Sequence, residues 1–353
     1  MTETKEMNQM KRGLALIASA LVALLAVSAA GAKSSKSTDT TITGAGSSLV
    51  APLVSQWVQP VGHAFGYTLQ YSSVGSGAGI AAITARTVDF GASDAPLTPD
   101  QAAACKGCVQ IPWALSATTL SYNVPGTPND LHLTGPVIAG MFLGRITSWN
   151  DPQIQKLNPK VTLPDLKITP VFRSDGSGDT YAFTDYLSRV SPAWKSKVGN
   201  ATAVQFPAGV GGKGNPGVAG AIANTSGAIG YISVAYALSN HLRVAAIRNA
   251  GGYFATPGLR GIAAAAATVK AVPSNNEMHI VDPPKGAKLA YPLSTFTYVI
   301  LPQRSAHAAE LRKLVFWALT QGQATGYTSK LVFAQMPKVV LVAAEKALKT
   351  LAS

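Results

Sequence analysis

Along the first third of the chain, the spacing of apolar residues alternates between a strand-like period and a helical period. A strand-like run at 41–43 leads through a glycine turn into a helix-periodic run at 49–65. A second strand-like run at 67–74 leads through another glycine turn into a short helical run at 80–87, and a third strand-like segment follows at 88–91. Strands that alternate with helices in this way favour an α/β fold with a largely parallel sheet.

Strand-like and helix-like segments keep alternating along the rest of the chain, and we expect the last segments to return to the first part of the fold. A strand-like run at 117–124 ends at Pro125-Gly126, and further strands and helices reach about residue 287. A long strand-like run at 291–301 then leads into helical sequence. We therefore expect the chain to leave a first lobe and return to it, with a cleft between two lobes. The boundaries we expect are residues 41–123 and 289–353 for lobe 1 and residues 124–288 for lobe 2.

Residues 1–32 have the pattern of an export signal. Lys11 and Arg12 precede an uncharged run at 14–27, and small residues follow as far as Ala32. The apolar run is shorter than the roughly 20 residues of a spanning helix, which favours cleavage over the alternative, a retained membrane anchor. Cleavage after Ala32, followed by a linker at 33–40, leaves a periplasmic or secreted protein. Since no cysteine lies near that site, we expect no lipid anchor.

Composition excludes several classes of protein. The 353-residue chain is 47% hydrophobic and only 13% charged, which argues against disorder and coiled coil. Its formal net charge of +13 would suit an anionic partner. However, the basic residues are scattered and accompany no aromatic-and-basic module, so we expect no nucleic-acid function.

The two cysteines, Cys105 and Cys108, have C-x-x-C spacing. This spacing is found in local disulfides, in half of a zinc site and in redox pairs. A zinc site needs two more ligands, and the five histidines are scattered without paired spacing, so we expect no metal. In an oxidising compartment, a disulfide that pins a loop is the simplest interpretation.

Three polar glycine turns each precede a helix-like run and offer backbone N–H groups together with a hydroxyl. They are Gly46-Ser47-Ser48, Gly75-Ser76-Gly77 and Asp175-Gly176-Ser177-Gly178. Helix N-termini carry unpaired donors and partial positive charge, so three that converge would surround a small tetrahedral anion. A single turn of this kind is more often only a helix cap.

Two nucleotide-binding motifs are incomplete in this sequence. The run from Gly209 to Asn215 resembles a P-loop but has Gly214 where Ser or Thr should follow Lys213. The glycines of the second turn resemble a dinucleotide fingerprint whose third glycine, Gly79, falls one position early. Neither motif supports nucleotide binding.

Two charged residues beside these turns suit recognition of a protonated anion. Arg173 ends a strand and could contact two anion oxygens, although a salt bridge with Asp175 is the simpler alternative. Asp94 would repel an anion unless a proton lies between them. Phosphate carries such a proton at neutral pH and sulfate does not, so an ionised Asp94 would select phosphate. The alternative for Asp94 is a turn or cap residue.

Six segments, in this order, resemble the phosphate-binding subunit of the high-affinity phosphate ABC transporter. The resemblance covers nearly all of residues 41–340 and is carried by Gly44-Ala45-Gly46-Ser47-Ser48, Val88-Asp89-Phe90-Gly91-Ala92-Ser93-Asp94-Ala95-Pro96, Leu143-Gly144-Arg145-Ile146-Thr147-Ser148-Trp149-Asn150-Asp151, Arg173-Ser174-Asp175-Gly176-Ser177-Gly178, Gly209-Val210-Gly211-Gly212-Lys213-Gly214-Asn215 and Gly227-Ala228-Ile229-Gly230-Tyr231.

The resemblance implies a periplasmic-binding-protein fold of type 2, hinged, that closes on inorganic phosphate and delivers it to membrane permease subunits. It further implies a monomer that is not an enzyme and needs no cofactor. The ligand contacts that it implies are Ser48, the Leu49 amide, Ser76, Asp94, Arg173, Ser177, Gly178 and Asp179.

Two of these positions differ from the family pattern. Leu49 stands where the family often has an aromatic residue, and Asp179 stands where it often has threonine. A carboxylate that faced phosphate would repel it. We therefore expect that only the Asp179 backbone N–H touches the anion and that the carboxylate caps a helix starting at Thr180.

Two other functions remain open from the sequence. One is an exported phosphatase or phosphoryl-transfer enzyme with Ser48, Ser76 or Ser177 as its nucleophile, although no histidine lies near them in sequence. The other is a receptor for another tetrahedral oxyanion such as sulfate.

Overall fold

The structure is a computed structural model that describes residues 40–352. The export signal and most of the linker lie outside the described residues. The strands are β1 Thr41–Gly46, β2 Thr68–Ser73, β3 Phe90–Ser93, β4 Cys108–Asn123, β5 His132–Leu133, β6 Thr169–Arg173, β7 Val210–Gly212, β8 Ala228–Ser233, β9 Arg243–Val244, β10 Ala246–Arg248, β11 Phe254–Ala255 and β12 Ser294–Pro302.

The helices connect these strands. They are α1 Ala51–Phe65, α2 Ser76–Thr84, α3 Pro99–Ala104, α4 Gly135–Phe142, α5 Pro152–Gln155, α6 Gly178–Val190, α7 Pro192–Lys197, α8 Gly214–Asn224, α9 Val234–Ser239, α10 Leu259–Ala266, α11 Ala308–Leu319, α12 Thr325–Thr328 and α13 Lys338–Leu348. Along residues 40–352, no helix is long and apolar enough to cross a membrane.

One mixed sheet organises the molecule, in the order β2-β1-β3-β12-β4-β8-β6-β7, with β9 also beside β4. Strands β2, β1 and β3 are parallel, as are β8, β6 and β7. Strand β12 runs antiparallel between β3 and β4, and β4 runs antiparallel to β8. The predicted α/β class is therefore present. Parallel pairing is confined to the two ends of the sheet, and the antiparallel strands β12 and β4 join them, so the sheet is mixed rather than largely parallel.

Strand β4 is the element that joins the two parts of the sheet. Its residues 108–117 pair with β12, and its residues 118–123 pair with β8. The change of partner falls between Ala117 and Thr118. We call β2, β1, β3, β12 and residues 108–117 the first half-sheet, and residues 118–123 with β8, β6, β7 and β9 the second half-sheet.

Each half-sheet packs helices through its own aromatic cluster. Helix α1 buries Leu53, Val54, Trp57 and Val61, which lie on one face because their spacing follows the helical period. The Trp57 ring packs edge-on against Trp113, at 5.3 Å between ring centroids. On the second half-sheet, Phe183 of α6 stacks on Tyr231 of β8 at 4.5 Å, and Phe142 of α4 packs against Phe183 at 4.7 Å.

Several elements begin earlier than their sequence pattern predicts. The strand predicted at 117–124 is the end of β4, which starts at Cys108, and the helix predicted from Thr180 starts at Gly178. Gly178 and Asp179 lack an apolar helical period, and the early residues of β4 are buried on both faces and so do not alternate. Their backbone continues the element although their side chains do not show it.

Cys105 and Cys108 are joined by a disulfide in the loop between α3 and β4. Arg86 holds this loop to the end of α2, since its guanidinium donates to the Cys105 carbonyl at 2.8 Å and to the Ile83 carbonyl at 2.6 Å. Across residues 40–352, no group of three or more His, Cys, Asp or Glu residues is arranged to hold a metal ion.

Candidate anion-binding site

The parallel strands of the first half-sheet bring three of the predicted residues together. The segments that follow β1, β2 and β3 leave the sheet at one edge, because parallel strands end on the same side. Ser48, Ser76 and Asp94 lie on these segments, and all three are buried. Gly46 is needed at this edge because its φ is +145° and an added Cβ would lie 2.0 Å from the Ala92 carbonyl oxygen.

Asp94 accepts hydrogen bonds from two serines. The Ser47 hydroxyl lies 2.6 Å from both carboxyl oxygens, and the Ser76 hydroxyl lies 3.4 Å from Oδ2. Burial, followed by the charge of Asp179, raises the pKa of Asp94 to about 8, although both serines and Arg173 oppose the shift. Asp94 can therefore hold or share a proton at neutral pH.

The second half-sheet supplies the remaining predicted residues from the end of β6 and the start of α6. Ser177 is the N-cap of α6, and its hydroxyl accepts from the Thr180 N–H at 3.3 Å. The Gly178 N–H donates to the Ser76 hydroxyl at 3.1 Å, and the Gly77 N–H donates to the Gly176 carbonyl at 2.9 Å. These two bonds join the turns of the two half-sheets directly.

Arg173 lies between two carboxylates. Its Nε donates to Asp175 Oδ1 at 2.8 Å, its Nη2 donates to Asp175 Oδ2, and its Nη1 donates to Asp179 Oδ2 at 3.1 Å. The side chain is only 1% exposed. Hydrogen bonding and the charge of Arg173 hold the pKa of Asp175 below its ordinary value, despite burial. The ion pair between Arg173 and Asp175, which is the simpler alternative for Arg173, is thus present, and it is buried rather than on the surface.

The expectation that the Asp179 carboxylate caps a helix is wrong. Ser177 caps α6, and Asp179 lies in its first turn with its carboxylate buried against Thr118, Arg173 and Asn215. Thr118 Oγ1 donates to Oδ1 at 2.6 Å, and Asn215 Nδ2 donates to Oδ2 at 2.8 Å. The reason is electrostatic, because a buried guanidinium with a free N–H attracts the carboxylate more strongly than a helix end does. Burial raises the pKa of Asp179, although these three partners oppose the shift.

Ser48 is joined to Asp179 by a residue that sequence reasoning did not select. Asn215, in the first turn of α8, donates from its backbone N–H and its Nδ2 to the Ser48 hydroxyl, at 3.2 and 2.9 Å. Its Oδ1 accepts from the Ser233 N–H at 2.8 Å. One signal for Asn215 is present in the sequence, namely its position at the end of the incomplete P-loop motif.

Two further residues were not selected from the sequence. Ser48 is the residue predicted from the first glycine turn. The neighbouring Ser47 of the same turn is the residue whose hydroxyl contacts Asp94. Thr118 lies inside a strand with no local motif, and only the fold brings it to Asp179.

The polar groups between the two half-sheets suit a small tetrahedral anion. Hydroxyls, backbone N–H groups of helices α2 and α6, and one guanidinium lie beside a carboxyl group that can share a proton. Buried donors of these kinds favour an anion, and the carboxyl group favours one that brings a proton. Together with the mixed sheet, this arrangement is the one expected for the periplasmic-binding-protein fold of type 2.

Comparison with known proteins gives the family. A family described as "PBP superfamily domain" matches residues 31–321. The phosphate-binding protein PstS of Xylella fastidiosa is 41% identical over 286 residues, covering 80% of this chain and 78% of that protein. The PstS of Pasteurella multocida is 38% identical over 306 residues, covering 85% and 88%. The chain therefore belongs to the PstS family of phosphate-binding proteins within the PBP superfamily.

Solved structures show the same fold at lower identity. A high-affinity periplasmic phosphate-binding protein, PfluDING, bound with phosphate, matches with a TM-score of 0.70 at 20% identity, covering 87% of this chain and 93% of that one. A phosphate-binding protein from Stenotrophomonas maltophilia matches with a TM-score of 0.68 at 21% identity, with the same coverage.

Proposed function

We propose that this protein is an exported, non-enzymatic receptor that captures inorganic phosphate between two lobes and delivers it to the permease subunits of an ABC transporter. The observation that carries the proposal is the position of Asp94. A buried carboxyl group that can share a proton lies among anion donors from both half-sheets. The names of the PstS relatives support the same ligand.

The ligand contacts in this proposal are the eight residues expected from the sequence: Ser48, the Leu49 amide, Ser76, Asp94, Arg173, Ser177, Gly178 and Asp179. The hydrogen bonds among Ser48, Asn215, Asp179 and Arg173, and among Asp94, Ser76 and Gly178, support their convergence on one ligand. For Leu49, we propose that the buried backbone N–H is the contact.

The proposed lobes keep the boundaries expected from the sequence, 41–123 with 289–353 and 124–288. The change of sheet partner at Ala117 and Thr118 supports a hinge in β4, close to the first boundary. We propose that the receptor acts as a monomer and is released after removal of residues 1–32, followed by the linker 33–40. Mass spectrometry of the exported protein tests the cleavage.

The contacts of the site serines support a receptor rather than a hydrolase. In the part of the chain that the structure describes, the hydrogen bonds of Ser47, Ser48, Ser76 and Ser177 involve carboxyl, amide and backbone groups, and none involves a histidine. A serine nucleophile needs such a base to remove its proton.

Titration of the purified protein with phosphate and then with sulfate tests the proposal. We expect one phosphate per chain and much weaker binding of sulfate. The same preparation should release no p-nitrophenol from p-nitrophenyl phosphate. Equal binding of both anions, or steady turnover of the ester, would contradict the proposal.

A further inference from the structure

Two carboxyl groups, one from each half-sheet, border the same buried polar space. Asp94 and Asp179 are 2% and 0% exposed. The Ser76 hydroxyl connects Asp94 to the N–H of Gly178, the residue before Asp179, and Asn215 Nδ2 connects the Asp179 carboxylate to Ser48. An anion held by the proposed contacts would therefore lie close to both carboxyl groups.

The charges around Asp179 do not balance these carboxyl groups. The cation that contacts it is Arg173 of β6, which Asp175 of the following turn also pairs with. With Asp94, Asp175, Asp179 and Arg173 all ionised, the space carries two net negative charges before an anion enters.

The tyrosines that face Asp179 add no positive charge. They are Tyr231 of β8 and Tyr236 of α9, and burial raises the pKa of both, so that each stays neutral near pH 7. A dianion pressed against this charge in a dry site costs several kcal/mol unless protons enter with it.

We propose that Asp179 couples phosphate capture to proton uptake: the bound anion shares one proton with Asp94, and Asp179 takes up a second proton on Oδ1, where it is shared with the Thr118 hydroxyl and neutralises the carboxylate beside the anion. This inference rests on the proposed function. The dibasic ion brings one of the two protons, and the solvent supplies the other. Only O–H bonds form or break, and no phosphorus–oxygen bond changes.

The contacts of Asp179 allow it to share a proton without losing Arg173. Oδ2 keeps its bonds from Arg173 and Asn215, and Oδ1 has one partner, the Thr118 hydroxyl. A hydroxyl can accept as well as donate, so Oδ1 can carry the proton and keep this hydrogen bond. The raised pKa values of Asp94 and Asp179 agree with this arrangement.

Calorimetry counts the protons directly. Phosphate is titrated into the full protein at about pH 9, where the dibasic ion predominates and free Asp94, with its pKa raised to about 8, is mostly ionised, in phosphate-free buffers that differ in ionisation enthalpy. We expect uptake of about one proton per phosphate, and an affinity that falls about tenfold per pH unit above about pH 9, because the bound state there holds one more proton than the free components.

The matched variants are Asp179→Asn and Asp175→Asn. Both carboxylates pair with Arg173, but the pKa of Asp175 is lowered, so it stays ionised. Uptake should fall close to zero in Asp179→Asn and remain near one in Asp175→Asn, whatever the affinity of the latter. Asp179→Thr, which also lacks a titratable group, should lose the uptake too.

Three results would overturn the inference. Phosphate binding without proton uptake by the natural chain would overturn it and leave the proposed function intact. Equal uptake by the natural chain and by folded Asp179→Asn or Asp179→Thr would assign the proton to another group. Absence of phosphate binding at every pH would overturn the proposed function itself, and the inference with it.

Discussion

The protonation of the Asp94 carboxyl group makes the preference between phosphate and sulfate depend on pH. Phosphate brings the proton that this group shares, whereas sulfate requires Asp94 to take one from the solvent. The pKa of Asp94 is about 8, so protonated Asp94 becomes scarce above that pH. We expect the preference for phosphate over sulfate to rise as pH rises through this value.

Asp94→Asn should remove this discrimination. An amide can both donate and accept without a proton from solvent, so the preference should fall by about tenfold or more, or about 1.4 kcal/mol, and lose its dependence on pH. Competition titrations with both anions between about pH 6 and 9 measure it. An unaltered ratio of phosphate to sulfate affinity in the variant would show that Asp94 does not select phosphate through its proton.

Arg173 stabilises the molecule as well as the anion. Arg173→Ala leaves Asp175 and Asp179 without their cation, and removing one partner of a buried pair costs about 3–5 kcal/mol. We expect a lower Tm and phosphate binding weaker by about 1.5–3 kcal/mol, the scale of a charge-assisted hydrogen bond. Thermal unfolding and titration measure the two effects.

Arg189→Ala is the matched control for Arg173→Ala. Arg189 pairs with Asp185 one helical turn away, and its side chain is 42% exposed. Such a pair contributes only about 0–1 kcal/mol. Its loss should change neither Tm nor affinity appreciably. Equal effects of the two substitutions would show that burial of the Arg173 cluster is not what matters.

At the scale of elements, the start of α6 must approach Asp94 closely. A Cβ added to Gly178 would lie 2.4 Å from Asp94 Cβ and 2.7 Å from Asp94 Cα. Gly178→Ala should therefore keep the half-sheets apart and weaken phosphate binding more than tenfold, since such overpacking costs about 1–3 kcal/mol. Titration and thermal unfolding without phosphate distinguish lost closure from lost stability.

Gly220→Ala tests the same change where space is free. Gly220 lies inside α8, and nothing lies within 4 Å of an added Cβ. Alanine should raise the free energy of unfolding by about 0.5–1 kcal/mol and leave affinity unchanged. If both glycine substitutions weaken binding alike, close contact at Gly178 is not the cause.

The elements and the glycine turns were predictable, but the contacts between the half-sheets were not. The periods of 49–65 and 67–74 indicated α1 and β2 because each buries one face. Thr118 and Asn215 reach Asp179 only after β4 has paired with β8 and α8 has packed beside them. Such pairing depends on residues distant in sequence, so local patterns do not contain it.

The whole molecule should change shape when it binds phosphate. The turns at Gly77 and Gly176 contact each other, and β4 changes its sheet partner between Ala117 and Thr118. If the half-sheets open about this point, small-angle scattering should show a smaller radius of gyration with phosphate than without it. Gly178→Ala should compact less. A constant radius with phosphate bound would contradict a hinge.

The central position of β12 sets the order in which the chain can fold. This strand lies between β3 and β4, and it pairs Pro302 with Cys108 and Ser294 with Ala117. Until the ribosome has made residues 294–302, the facing edges of β3 and β4 have unpaired backbone groups. Pairings between such distant residues form slowly. The nascent chain therefore cannot complete its first half-sheet until these residues are made, and the export signal that we propose at its start would act on a chain that is not yet folded.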